Sequence, residues 1–332
     1  MPSFPTMRFV SPTRLPAVVE AEDQRDLPAW VEQHRAWLDA ALLEHGAVLM
    51  RGFGVASAAE FERVMAGASS GAWVEYREAS TPRSHVSGHV FTATDYPAPF
   101  RIYLHNENSH VTSWPGRLYF WCEQPPATGG QTPIADCRRI FSRVDSDVRT
   151  RFLELGWQYV RTFGYGLGFT WQKVFGVGSA AELEAYCAAN RMRAEWIDDA
   201  HVRVRYRRWA ALRHPISGAD AWFNHGLFYN VWNLRGPEAM VLKDFGPERM
   251  PYNTYYGDGA PVPADVLQGL HEAYEAERTL FDWQAGDVLV IDNMLVAHGR
   301  ESFTGTRRVL VGMTGLNRCE AFVDDRALAL LP

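Results

Sequence analysis

The stretch "GDVLVIDNMLVAHGRESFTGTRRVLVGMTG", residues 286–315, alternates apolar runs with turn signals. An apolar strand, Val288 to Ile291, leads into Asp292-Asn293, a turn signal. A second, shorter apolar run ends at His298, beside Gly299. Ten residues on, past the Thr304-Gly305 turn, sits Arg308. A hairpin at that turn would set the arginine strand against the histidine strand. A histidine closing an apolar run is more often structural than chemical, so a partner must be sought elsewhere.

"LHNENSH", residues 104–110, offers one. In a strand, residues i and i+2 share a face. His105 and Glu107 would then project side by side, with Asn106 on the other face. Two adjacent ligands of one metal ion would be arranged so, and so would a surface pair. Two histidines and one carboxylate occupy one face of an Fe(II) octahedron and leave three positions open. A bidentate 2-oxo acid fills two of them and dioxygen the third. The second carboxylate of 2-oxoglutarate then needs a fixed cation, and the planar fork of arginine suits it better than lysine.

Around these segments the chain reads as β structure flanked by helices. Trp30, Val31, Trp37, Leu38, Ala41 and Leu42 form one stripe of a helix over residues 28–46, with Gly46 past its end. Ser57 with Glu60, and Ser179 with Glu182, have capping-box spacing and predict two more helices. Residues 77–99 read as a long loop that holds His85 and His89. Residues 47–53, 101–107, 116–125 and 200–210 read as strands, residues 146–156 as a helix, and another helix follows Pro263. No regular βαβ alternation exists, which argues against a doubly wound sheet. "GYGLGF", residues 164–169, lacks the strand-to-helix frame of a phosphate loop and reads as an aromatic lid or turn.

Composition narrows the function classes. The net charge is −6 and the pI near 6.0, so no global basic field attracts nucleic acid. The run Arg203, Arg205, Arg207 and Arg208 reads as a solvated strand face. Cys122, Cys137, Cys187 and Cys319 form no C-x-x-C, which fits reduced thiols in a cytoplasmic protein. The first sixteen residues lack the apolar core of a secretory signal, and no apolar run reaches the ~18 residues of a membrane span.

Taken together, "HNENSH" (105–110), "WPGRLYFWCEQPPATGGQTPIADCR" (114–138), "WFNHGLFYNVW" (222–232) and the 286–315 stretch resemble the TauD/TfdA-like family of Fe(II)/2-oxoglutarate-dependent dioxygenases. Within it, the chain is similar to the branch that hydroxylates amino acids in natural-product biosynthesis. The resemblance implies a mainly β, α+β fold: a double-stranded β-helix, or jelly roll, with helices packed outside. It implies a single domain over residues 1–332, with a lid or insertion around 140–220.

By the same resemblance, His105, Glu107 and His298 would hold iron, and Thr132 would hydrogen-bond 2-oxoglutarate. Arg307 and Arg308 point to opposite strand faces, so one of them reaches the pocket. Pattern alone does not choose, and the resemblance favours Arg308. The family more often has Asp where Glu107 stands. Members with Ala or Gly there are halogenases, so Glu107 argues against halogenation. The implied substrate is a small molecule, an amino acid or derivative, free or tethered to a carrier protein. Asn108, with Ser109 beside it, His110, Arg161 and His225 are candidate substrate contacts, and Arg161 could pair with a carboxylate. Dioxygen and 2-oxoglutarate would be consumed, and succinate and carbon dioxide released. Desaturation, epoxidation or cyclisation can follow the same hydrogen abstraction. A zinc or manganese cupin-like enzyme and a non-catalytic jelly-roll binding protein are the other classes.

Overall fold

The computed structural model describes residues 5–69, 71–74, 84–94 and 96–319. Val288–Asp292 runs antiparallel between Ala47–Arg51 and Ser113–Gln124. Its Val288, Leu289, Val290 and Ile291 are fully buried because both faces of the sheet are covered. One face sets Val288, Val290, Tyr119 and Trp121 against Leu27, Trp30, Phe61 and Met65 of the N-terminal helices. The other sets Leu289, Ile291, Phe120 and Val311 against Ile134 and Val296. Each such burial contributes about 1.5–3 kcal/mol relative to exposure.

Among the described residues the large sheet has eight strands. In spatial order they are Met7–Phe9, Ala17–Glu20, Ala47–Arg51, Val288–Asp292, Ser113–Gln124, Arg308–Arg318, Val90–Thr92 and His85–Ser87. A small sheet of Ile102–His105, Val296–Arg300 and Ile134–Asp136 packs against it through Ile134 and Val296, and the pair forms the jelly roll. Among the described residues no helix is long and apolar enough to cross a membrane.

Several local expectations need correction. Thr304-Gly305 does not make a hairpin between the histidine and arginine strands. Val296–Arg300 pairs with Ile102–His105 and Ile134–Asp136, whereas Arg308–Arg318 crosses to the large sheet. The helix over 28–46 is two helices, Leu27–Gln33 and Arg35–His45, because His34 leaves helical geometry and both its N–H and Nδ1 turn to the Trp30 carbonyl. Gly46 does end the second, at φ +80°. The 77–99 loop contains a hairpin, His85–Ser87 with Val90–Thr92, that extends the large sheet; residues 77–83 and 95 lie outside the described residues. His85 is exposed, and His89 pairs with Glu62 and stacks on Trp73. Arg203, Arg205 and Arg207 do face outward, but Arg208 turns inward and is 0% exposed.

A further sheet, Arg193–Trp196, Val202–Arg208, Trp157–Phe163 and Tyr252–Tyr256, lies in the region expected as an insertion and takes its last strand from beyond residue 220. Its inward residues Trp157, Tyr159, Val204 and Tyr206 share one cluster with Leu104, Ala135 and Ala297. This sheet thus belongs to the same hydrophobic cluster as residues of the strands that carry His105 and His298.

Candidate metal centre

His105 and His298 face each other as cross-strand partners. Their ring centroids are 4.5 Å apart. Glu107 does not share a strand with His105. The strand ends at His105, and the chain turns through residues 107–110 with Asn108 left-handed at φ +58°. The turn, rather than the pleat, delivers the carboxylate: Glu107 Oε2 lies 3.9 Å from His298 Nε2. One donor atom from each of His105, Glu107 and His298 lies within 4.8 Å of the others, and the three residues are 9%, 5% and 5% exposed.

This donor set fits a divalent transition metal such as Fe(II). The His105 Nδ1 lies 2.8 Å from the Tyr103 carbonyl and can donate to it, which leaves Nε2 as the ligand atom. Two imidazoles and one carboxylate carry a single negative charge, so a bound divalent ion keeps a net positive charge toward its open side.

Asn293 holds the turn, a role that the sequence showed only as a turn signal. It is 0% exposed. Its Oδ1 accepts from Glu107 N at 2.8 Å, and its Nδ2 donates to Glu107 O at 2.9 Å and Pro115 O at 2.8 Å. Asn106 does point away from the ligands, where its Nδ2 donates to the Asn293 carbonyl at 2.7 Å.

Beside His298 opens a cavity lined by Phe120, Ile102, Thr132, Arg300 and Arg307. Thr132 Oγ1 accepts from Trp283 Nε1 at 3.1 Å and Arg307 Nη2 at 3.3 Å, and Arg307 Nε donates to Gly130 O at 2.8 Å. Burial pushes the Arg307 guanidinium down to about 10, with neighbouring Arg300 adding to the effect. Arg308, favoured from the resemblance, is corrected here. Its half-exposed side chain turns outward to pair with Glu123. The register shifts between Arg308 and Val309, which breaks the simple alternation.

On the other side of His105 stand His225, with ring centroids 5.5 Å apart, and Phe228, at 4.5 Å. His225 Nδ1 lies 2.5 Å from Ser109 Oγ, and its ring is 4.8 Å from that of His110. Burial holds both histidines well below the ordinary value, and for His110 the positive Arg161 and Arg208 add to it. Burial thus favours the neutral form of both rings. Arg161 is 5% exposed, with its guanidinium among the rings of Tyr159, Phe163 and Phe175. The structure thus gathers His110 and His225 beside His105, and sets Arg161 one layer out, near His110. Asn108 is buried in the ligand turn.

Comparison with known proteins matches residues 11–314 to the taurine catabolism dioxygenase TauD, TfdA family. The dapdiamide synthesis protein DdaC of Enterobacter agglomerans is 35% identical over 277 residues, covering 83% of this chain and 84% of that one. A clavaminate synthase-like protein of Arabidopsis thaliana is 31% identical over 294 residues, covering 85% and 86%. Among solved structures, PvcB of Pseudomonas aeruginosa superposes with a TM-score of 0.54 at 14% identity, over 93% of this chain and 90% of that one. A second PvcB structure, described as an Fe, alpha-ketoglutarate dependent oxygenase from an isonitrile synthetic pathway, gives a TM-score of 0.52 at 14% identity, with the same 93% and 90% coverage.

Proposed function

The chain belongs to the TauD/TfdA family of Fe(II)- and 2-oxoglutarate-dependent dioxygenases, and from that premise we propose that it hydroxylates an unactivated C–H bond of an amino acid or amino-acid derivative, free or tethered to a carrier protein. One observation carries the reading. The donors of His105, Glu107 and His298 converge within 4.8 Å of one another, and the cavity that His298 lines also holds Thr132 and Arg307. Iron bound there supplies the dioxygen chemistry, for which 2-oxoglutarate gives up two electrons on becoming succinate and carbon dioxide.

The side chains have separate duties. His105 and His298 hold the ion as neutral ligands, and Glu107 offsets part of its charge. Tyr103 O keeps the ligating nitrogen of His105 unprotonated. Thr132 and Arg307 fix the far carboxylate of the co-substrate, with Trp283 orienting the threonine hydroxyl. Phe120 and Ile102 wall that cavity with apolar surface. His225 and His110, whose burial favours the neutral form, border the substrate side. Arg161, inside the same aromatic layer, would attract a substrate carboxylate, and Asn108 would present its backbone turn. The syntheses named for DdaC and PvcB support a natural-product substrate.

Succinate release, scanned across free amino acids and carrier-bound aminoacyl groups, tests this reading. It should rise well above the uncoupled background for one of these classes, with a product heavier by one oxygen. Product lighter by two hydrogens would replace hydroxylation by desaturation or ring closure. A response only to substrates outside both classes would overturn the assignment.

A further inference from the structure

The wall of the co-substrate cavity carries a second guanidinium, that of Arg300. It is 6% exposed. Its Nη1 donates to Tyr96 O at 2.7 Å, and its Nη2 to Pro97 O at 2.9 Å and Phe100 O at 2.8 Å. These bonds strap the approach to Ile102–His105 onto Val296–Arg300. They use three of the five N–H donors of the fork. The Nε–H is buried and has no hydrogen-bond partner among the described residues. The carboxylate next along the chain, Glu301, pairs with Arg101 and Arg278. Arg300 and Arg307 line the same cavity, their guanidinium carbons lie 5.1 and 5.9 Å from the centroid of the Phe303 ring, and Arg307 feels the charge of Arg300. Two buried cations side by side are unfavourable unless an anion compensates them.

We propose that Arg300 is a second anion-holding residue, which with Arg307 makes the far end of this cavity select a 2-oxo acid with two carboxylates. The proposal rests on the co-substrate placement given above and adds to it a residue and a charge rule. A single arginine can grip one carboxylate by hydrogen bonding alone. A pair of cations adds a field that strongly favours the dianion over a neutral-ended analogue.

The test is calorimetric binding of 2-oxoglutarate and of its C5 amide to the Zn(II)-loaded, redox-inert protein. Arg300→Gln should cut the preference for 2-oxoglutarate over the amide about tenfold, whereas Arg300→Lys, which keeps the charge, should hold it within about threefold (1.4 kcal/mol per tenfold change). Equal weakening of both ligands by Arg300→Gln would reduce Arg300 to a strap and overturn the proposal. Arg307→Gln separates the two levels. If it leaves 2-oxoglutarate binding intact, the co-substrate placement itself fails. If it abolishes binding while Arg300→Gln leaves the preference unchanged, only this inference fails. Should Arg300→Gln not fold, the Nε–H NMR signal of Arg300 decides. That signal, identified by its absence in Arg300→Lys, should move when succinate is added to the unaltered, metal-free protein. A stationary signal at saturating succinate would overturn the proposal.

Discussion

Replacing Asn293 by alanine should damage both stability and metal affinity, although this side chain is assigned no contact with the metal. The side chain is 0% exposed and bonds Glu107 N, Glu107 O and Pro115 O at 2.8–2.9 Å. Truncation leaves one buried N–H and two buried carbonyls without those partners. An unmet buried polar group costs about 1–3 kcal/mol, and partial relaxation or water entry lowers the sum. The expected loss is about 3–5 kcal/mol of folding free energy, read from urea unfolding of the metal-free protein. The turn that aims Glu107 also loosens, so Mn(II) or Co(II) affinity by calorimetry should fall about 10–100-fold. A loss under about 1 kcal/mol together with unchanged metal affinity would refute the view that Asn293 aims the carboxylate.

Arg307→Gln should raise KM for 2-oxoglutarate by about 10²-fold or more in a succinate-release assay, because it removes one partner of a buried charge pair. Arg308→Gln removes only an exposed pair with Glu123 and should stay within about twofold, and the reverse ranking would restore Arg308 to the pocket. Gly299→Ala would set a Cβ 2.5 Å from the Ile102 carbonyl, pushing the His105 strand off the His298 strand. Metal affinity should fall at least about tenfold with a lower Tm, and wild-type values for both would contradict that geometry. Burial pushes the Cys122 and Cys137 thiols up to about 12, so at pH 8 only about one molecule in 10⁴ carries the thiolate at each. A thiol reagent should label neither until the protein is unfolded, and rapid labelling of the native protein would show that these thiols are not buried as described.

Much of the architecture was legible because it rests on local pattern. Val288 to Ile291 announced an apolar strand, and the structure covers both of its faces. The Ser57–Glu60 and Ser179–Glu182 spacings announced helix starts whose serines accept from the glutamate N–H groups. The residues of the candidate centre were also named from sequence, but not how they meet. His105 and Glu107 looked like strand neighbours, whereas a left-handed Asn108 and a side chain 186 residues away set the carboxylate. Period-two alternation could say that only one of Arg307 and Arg308 faces inward. It could not say which, because a register shift at the strand start reverses the parity. Nothing in the sequence singled out Arg300, because its strap onto residues 96–100 depends on tertiary packing that no local pattern encodes.

The most direct test of the whole account is an anaerobic titration with Fe(II) followed by 2-oxoglutarate, watched by visible absorption. A weak charge-transfer band should grow to one equivalent of each, and should be absent in His298→Ala. If no band forms in the unaltered protein with both bound, or if the band survives in His298→Ala, these three side chains do not hold the iron that chelates the keto acid.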